Sequence, residues 1–197
     1  MEIETIYGNV PKLETERLIL RKVTIEDAED MFAYGSDEEV ARYVTWDKHE
    51  TIEDTRAFID FVLGKYENKQ LSPWAIESKE TGKMIGTIDF VSWQPRHNSA
   101  EIGYVIAQDQ WGKGITTEAA TALIKFGFEN MELVRIQARC FTENIGSARV
   151  MEKVGMLFEG INRKAALIKG KHRDLKIYAI LKEDFAHLQK KQMEEAV

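Results

Sequence analysis

The chain has 197 residues, 44% hydrophobic and 30% charged, with a formal net charge of -6. These values fit one soluble domain with a proper core and exclude a transmembrane helix, because no run of eighteen apolar residues occurs. The single cysteine, Cys140, excludes an internal disulfide and a cysteine-rich zinc site. The acidic start "MEIETIYGNVPKLETERL" lacks an apolar signal core, so a reducing cytoplasm is the expected home. With no run of Lys and Arg, nucleic acid and membrane are not expected as partners. An acidic surface suits a cationic partner such as an amine, and it also serves solubility alone.

The elements read as mixed α and β. "RLILRKV" (Arg17 to Val23) has the pattern of a strand. Thr24 then starts a helix, with Asp27 at capping-box spacing and Ala28, Met31 and Phe32 as its apolar stripe. Thr51 and Asp54 repeat the signal before Phe58, Ile59, Val62, Leu63 and Tyr66, which recur at helical spacing. "PWAIES" and "MIGTIDFVSW" form a hairpin through "KETGK", whose Gly82 makes the turn. "SAEIGYVIA" (Ser99 to Ala107) is the next strand.

"DQWGKGITTEAATALIKF" follows, a glycine loop running into a helix with Ala119, Ala122, Leu123, Phe126 and Gly127 on one face. "LVRIQARCF" (Leu133 to Phe141) is a strand, Asn144 caps "IGSARVMEKV", and Gly155 ends that helix. "MLFEGINRK" and "DLKIYAIL" close the sheet, and the tail after Phe185 is polar. The fold class is α/β, a mixed sheet with helices on both faces.

The glycine loop has three candidate ligands. A P-loop needs G-x-x-x-x-G-K-[ST], but Ala107 occupies the first glycine position and Gly114 replaces the Ser/Thr. A dinucleotide fingerprint needs a third glycine where Thr117 stands. The third candidate is coenzyme A. "AEIGYVIAQDQWGKGITTEA", "NIGSARVMEKVGM", "LETERLILRKVTIEDAEDMF" and "GKHRDLKIYAIL" together resemble, in order, the GNAT superfamily of N-acetyltransferases. The branch resembled is that of the ribosomal-protein alanine N-acetyltransferases. Trp111 and Thr116 depart from the commonest family loop residues.

The resemblance implies a central, mostly antiparallel sheet with a splayed, V-shaped strand pair. It implies a domain over residues 13–185, an extension at 1–12 and a polar tail at 186–197. It makes acetyl-CoA the cosubstrate, with its pyrophosphate on the amides of Trp111, Gly112, Lys113, Gly114, Ile115, Thr116 and Thr117. A helix N-terminus suits that charge, and glycines let the backbone come close. Tyr104, Val105 and Ile106 would pair with the pantetheine arm, and an amide near Val105 would hold the oxyanion. Asn144 resembles the family's pantetheine ligand and is equally a plain helix cap.

Further roles follow from the same resemblance. Glu101, on the strand face of Gly103 and Val105, is the candidate base, or else a solvated strand glutamate. Met151 stands where many members carry the tyrosine acid, so Ser147 is the candidate acid, or else a serine bonded within its own helix. Trp46, Trp93 and Asp174 are candidate acceptor contacts. Cys140 is expected to be a buried hydrophobe and not a nucleophile. His49, His97, His172 and His187 have no metal spacing, so no metal is expected.

The expected activity is direct acetyl transfer from acetyl-CoA to an amine in a ternary complex. An α-amine, with a pKa near 8 against about 10.4 for lysine, asks less of a base, which favours a protein or peptide N-terminus. A small amine such as a polyamine, amino acid or drug is the alternative acceptor. A non-catalytic CoA-binding module is a third reading, motivated by Met151. The family also makes a homodimer a conceivable assembly.

Overall fold

The structure is a computed structural model that describes residues 3–195. The chain folds as α1 (Ile3–Tyr7), β1 (Leu13–Glu14), β2 (Leu18–Lys22), α2 (Ala28–Gly35), α3 (Glu38–Ala41), α4 (Ile52–Glu67), β3 (Trp74–Ser78) and β4 (Met84–Gln94). It continues with β5 (Ser99–Ile106), α5 (Ile115–Asn130), β6 (Arg135–Phe141), α6 (Ile145–Lys153), β7 (Leu157–Ile168), β8 (Lys171–Leu181) and α7 (Lys182–Glu195). One eight-stranded sheet runs in the order β1-β2-β3-β4-β5-β6-β8-β7. Every neighbouring pair is antiparallel except β5 and β6, which run parallel.

Local signals mostly act as their chemistry requires. Thr51 caps α4: its hydroxyl accepts from the Asp54 amide, and the Asp54 carboxylate accepts from the Thr51 amide at 2.9 Å. Thr24 differs. It opens a single 3-10 turn (Ile25–Asp27), and α2 begins only at Ala28. Asp27 is buried there because the Arg21 guanidinium donates to both its carboxylate oxygens, at 2.8 and 2.7 Å. The short helix α3, capped by Asp37, was not foreseen in the sequence.

The first and last described helices, α1 and α7, are part of this architecture. Tyr7 of α1 is fully buried and meets the Trp74 ring edge-on at 5.7 Å. Trp74 Nε1 donates to the Pro11 carbonyl at 2.8 Å, and its ring also meets Phe90 and Phe126. At the other end, α7 starts before the expected tail, and Phe185 packs on Phe128. Residues 1–2 of the expected extension and 196–197 of the expected tail lie outside the described residues.

The last strand is longer than "MLFEGINRK" suggested. β7 reaches Ile168, with irregularities between Phe158 and Gly160 and between Asn162 and Ala166. It forms the sheet edge, so most of its side chains face solvent. The hairpin tip returns over α3, where Lys169 Nζ donates to the Ala41 carbonyl at 2.8 Å.

No helix among the described residues is long and apolar enough to cross a membrane. Among the same residues no group of three or more His, Cys, Asp or Glu side chains could hold a metal ion.

Candidate active site

The sheet opens at its centre. β5 and β6 pair from Ser99↔Arg135 to Ile102↔Ala138 and no further, although β5 runs on to Ile106 and β6 to Phe141. A cavity of about 740 Å³ is lined by the two strands at this wedge, Ile102 to Ile106 of β5 and Ala138 to Cys140 of β6. On one side it is lined by Trp111, Gly112, Thr116, Asn144 and Ser147, and on the other by Trp46, Phe58, Phe61 and Lys65.

The register of β4 against β5 decides which backbone groups face the wedge. Ala107 donates its amide to Ile85 of β4 at 2.8 Å, and Thr87 lies opposite Val105. Strand alternation therefore turns the Val105 amide toward β4 as well, and turns Tyr104 and Ile106 toward the opening. The Ile106 carbonyl agrees, since it accepts from Trp111 Nε1 at 3.1 Å and not from β4. The amide expected near Val105 is thus that of a neighbour, because consecutive residues point their N–H groups to opposite sides.

The glycine loop precedes α5 in left-handed backbone. Gly112 has φ +77° and Gly114, the N-cap of α5, has φ +79°. A Cβ at Gly112 would meet nothing within 4 Å, and one at Gly114 only Arg17 Nη2 at 3.6 Å. Conformation, not crowding by the protein, therefore requires glycine here. The loop is held from the residue just before β2: Arg17 donates to the Lys113 carbonyl at 3.0 Å and pairs with Glu118 of α5 at 2.6 Å. Lys113 makes no such anchor with its side chain, and Ile115 is buried as the first residue of the helix. Thr117 accepts from Thr121 through its carbonyl.

Beyond the loop, α6 brings its N-terminus to the wedge. Asn144 caps it, accepting from the Ser147 amide at 3.0 Å, so the cap reading describes its observed contact. The Ser147 hydroxyl does not turn back on its own helix. It lies 2.9 Å from the Tyr104 hydroxyl, which also donates to the Ser147 carbonyl at 3.2 Å. Burial pushes the Tyr104 phenol well above its ordinary value, so it remains a donor. Tyr104 thus supplies a hydroxyl on the side of the wedge where Met151, fully buried, offers none. Cys140 is buried nearby, and burial likewise pushes its thiol up, which disfavours a thiolate.

Three expected side chains lie away from this cavity. Glu101 shares the strand face of Gly103 and Val105, but its carboxylate accepts from Arg139 Nε and from Gln137 Nε2, both at 2.8 Å, where the two strands are still paired. It is buried and committed to an ion pair. Trp93 is a core residue opposite Ala100, 6% exposed, with its indole N–H inside the protein. Asp174 accepts from the Lys164 amide at 2.7 Å, clasping the irregular stretch of β7. Trp46 does line the cavity, tilted against His49 at 5.4 Å.

Asp89 of β4 was not foreseen. It stands opposite Gly103, half-buried on the cavity wall. A Cβ on Gly103 would meet Val91 Cγ1 at 2.7 Å and Asp89 Oδ1 at 3.5 Å, so the glycine clears space over the carboxyl. Burial pushes the Asp89 carboxyl up to about 7, against the opposing pull of Lys65. The sequence signal was available in "GTIDFVSW", where an acid sits inside an otherwise apolar central strand.

Comparison with known proteins agrees with this architecture. The Acetyltransferase (GNAT) domain matches residues 17–157. The chain belongs to the GNAT acetyltransferase family. It is 38% identical over 172 residues to the uncharacterized N-acetyltransferase YoaA of Bacillus subtilis, covering 87% of this chain and 97% of YoaA. The crystal structure of a GNAT-family acetyltransferase from Bacillus anthracis superposes with a TM-score of 0.78 at 35% identity, covering 88% of this chain and 99% of that one. A shorter match, 32% identical over 97 residues, joins it to the ribosomal-protein-serine acetyltransferase of Escherichia coli, covering 49% of this chain and 54% of that protein. The GNAT chain described here is an acetyl-CoA-dependent N-acetyltransferase.

Proposed function

We propose that this enzyme acetylates the N-terminal α-amine of a protein or peptide. The observation that carries the reading is a cavity at the open end of β5 lined both by the glycine loop and α6 and by residues of α3 and α4. Acetyl-CoA enters from the loop side, with its pyrophosphate on the amides from Trp111 to Thr117 and its pantetheine arm along the free edge of β5. The amine enters from the side of α3 and α4.

A second hollow of about 720 Å³ supports a chain-like acceptor. It is lined by the acids Glu38, Glu39, Asp47 and Glu50 together with Arg42, Lys48 and Lys169, and it shares Glu39 with the cavity. A second polar hollow next to the reaction site leaves room for the residues behind an N-terminus, which a small molecule ending at its amine would not fill. One of the relatives is named a ribosomal-protein-serine acetyltransferase.

The chain's own groups supply the following steps. The Tyr104 amide, turned into the wedge, polarises the thioester carbonyl and then holds the oxyanion; such a donor contributes about 3 kcal/mol to the transition state. The neutral amine forms the new C–N bond, and the C–S bond breaks with its electron pair on sulfur. Ser147, hydrogen-bonded to Tyr104, passes a proton to that thiolate. The adduct loses one N–H proton, which balances the proton given to sulfur, and the amide product keeps the other.

Release of free thiol from acetyl-CoA across matched acceptors tests this. Peptides with free N-termini should turn over with the highest kcat/KM. If polyamines, free amino acids or amine drugs win, the small-amine reading takes its place. If acetyl-CoA raises Tm but no amine is acetylated, the chain is a CoA-binding module.

A further inference from the structure

The geometry assigns Asp89 the role of the group that takes the proton from the incoming amine, a step that rests on the acetyl-transfer reading above. Four observations converge. Asp89 lies on the cavity wall on the α4 side, where the amine arrives. It faces Gly103, one residue before Tyr104, whose amide turns into the wedge, so carboxyl and oxyanion donor flank one point of β5. Gly103 has no side chain to cover it, and a methyl there would collide with Val91. The other acid on this strand face, Glu101, is held by Arg139 and Gln137.

The proton balance is simple. The acceptor arrives as an ammonium, Asp89 as a carboxylate. One N–H proton moves to Asp89, the freed lone pair attacks the carbonyl carbon, and the C–S bond breaks with its electron pair on sulfur, which takes a proton from Ser147. The adduct's second surplus N–H proton replaces the one Ser147 gave, the amide keeps one N–H, and Asp89 returns its proton to solvent after product leaves. The charged or titratable groups that sense Asp89 are Lys65 on α4, Tyr66 near the end of that helix and Tyr7 on α1. Both phenols are themselves pushed up, so neither competes as a base near neutrality. A carboxyl that releases its proton near neutrality is matched to an α-amine with a pKa near 8.

Asp89→Asn keeps the shape and removes the base. With a peptide acceptor, kcat/KM is expected to fall on the order of 10²-fold at pH 7, with the affinity for acetyl-CoA unchanged. The deficit should close as the pH is raised above the acceptor's own pKa, where free amine is supplied by solvent. A deficit equal at every pH, or none, overturns the assignment. A second measurement is independent of any acceptor: the 13C resonance of the Asp89 carboxyl should titrate near neutrality, and titration in the ordinary aspartate range overturns the assignment. Wild-type protein that binds acetyl-CoA but acetylates no amine overturns the transfer reading itself, and the base with it.

Discussion

The hydroxyls of Tyr104 and Ser147 lie 2.9 Å apart, joining the free end of β5 to the first turn of α6 across the open wedge. Two hydroxyls in series are a proton path, and burial keeps the phenol protonated. Ser147→Ala should lower kcat on the order of 10²-fold. Tyr104→Phe should cost less, and the double variant should be no worse than Ser147→Ala alone, because groups that act as a unit are not additive. Losses that simply multiply, in single-turnover thiol release, would separate the two hydroxyls.

The glycine loop makes a different prediction. Gly114 is left-handed, and a Cβ there would meet only Arg17 Nη2, at 3.6 Å, which leaves open space beside the loop. Gly114→Ala should destabilise the protein by about 1 kcal/mol through backbone strain. Gly114→Glu should abolish acetyl-CoA binding by placing a carboxylate where the pyrophosphate sits. Calorimetry showing unchanged affinity would end the loop assignment.

Glu118 is the acid that ties this loop to the turn between β1 and β2. It accepts from Thr15 Oγ1 at 2.6 Å, from the Arg17 amide at 2.9 Å and from Arg17 Nε at 2.6 Å. Burial raises its carboxyl, but the hydrogen bonds from Thr15 and Arg17 outweigh burial and hold it below the ordinary range. A depressed carboxyl contributes stability above its unfolded pKa, and loses it as the pH falls through the folded value. Glu118→Gln should therefore cost about 1–2 kcal/mol at pH 7, less as the pH drops below about 4. Urea unfolding at both pH values measures the difference.

Asp89 has the opposite sign. Its folded pKa, about 7, lies above that of an unfolded aspartate, so the native state holds the extra proton between the two values. Stability then falls as the pH rises through that window. Asp89→Asn should melt higher than wild type at pH 8, by an amount that disappears toward pH 4. A protein that gains stability while it loses activity is the signature of a strained functional group. Equal melting temperatures across this range would mean that the carboxyl is not desolvated.

Much of this architecture was legible because local and global requirements agree. "RLILRKV", the hairpin through Gly82, and the capping box at Thr51 and Asp54 each encode their element within a few residues. The splayed pair was an expectation from resemblance, and the register shows where it opens, after Ile102 and Ala138. The site was less legible for physical reasons. Alternation placed Glu101 on the correct face, but only the β6 neighbours Gln137 and Arg139 show that its carboxylate is occupied. Trp93 and Asp174 needed a tertiary context: a core position for one, a β7 backbone amide for the other. Asp89 depends on two strands at once, since its exposure to the cavity exists only because Gly103 lies opposite.

The account depends most on the free edge of β5, and amide hydrogen exchange followed by NMR addresses that edge directly. Alternation turns the Tyr104 and Ile106 amides into the wedge and the Val105 amide toward β4. Adding acetyl-CoA should slow exchange at Tyr104 and Ile106, and in the loop from Gly112 to Thr116, with a much smaller change at Val105. Exchange at Tyr104 and Ile106 that stays as fast with saturating acetyl-CoA as without it would mean that the pantetheine arm does not lie in the wedge.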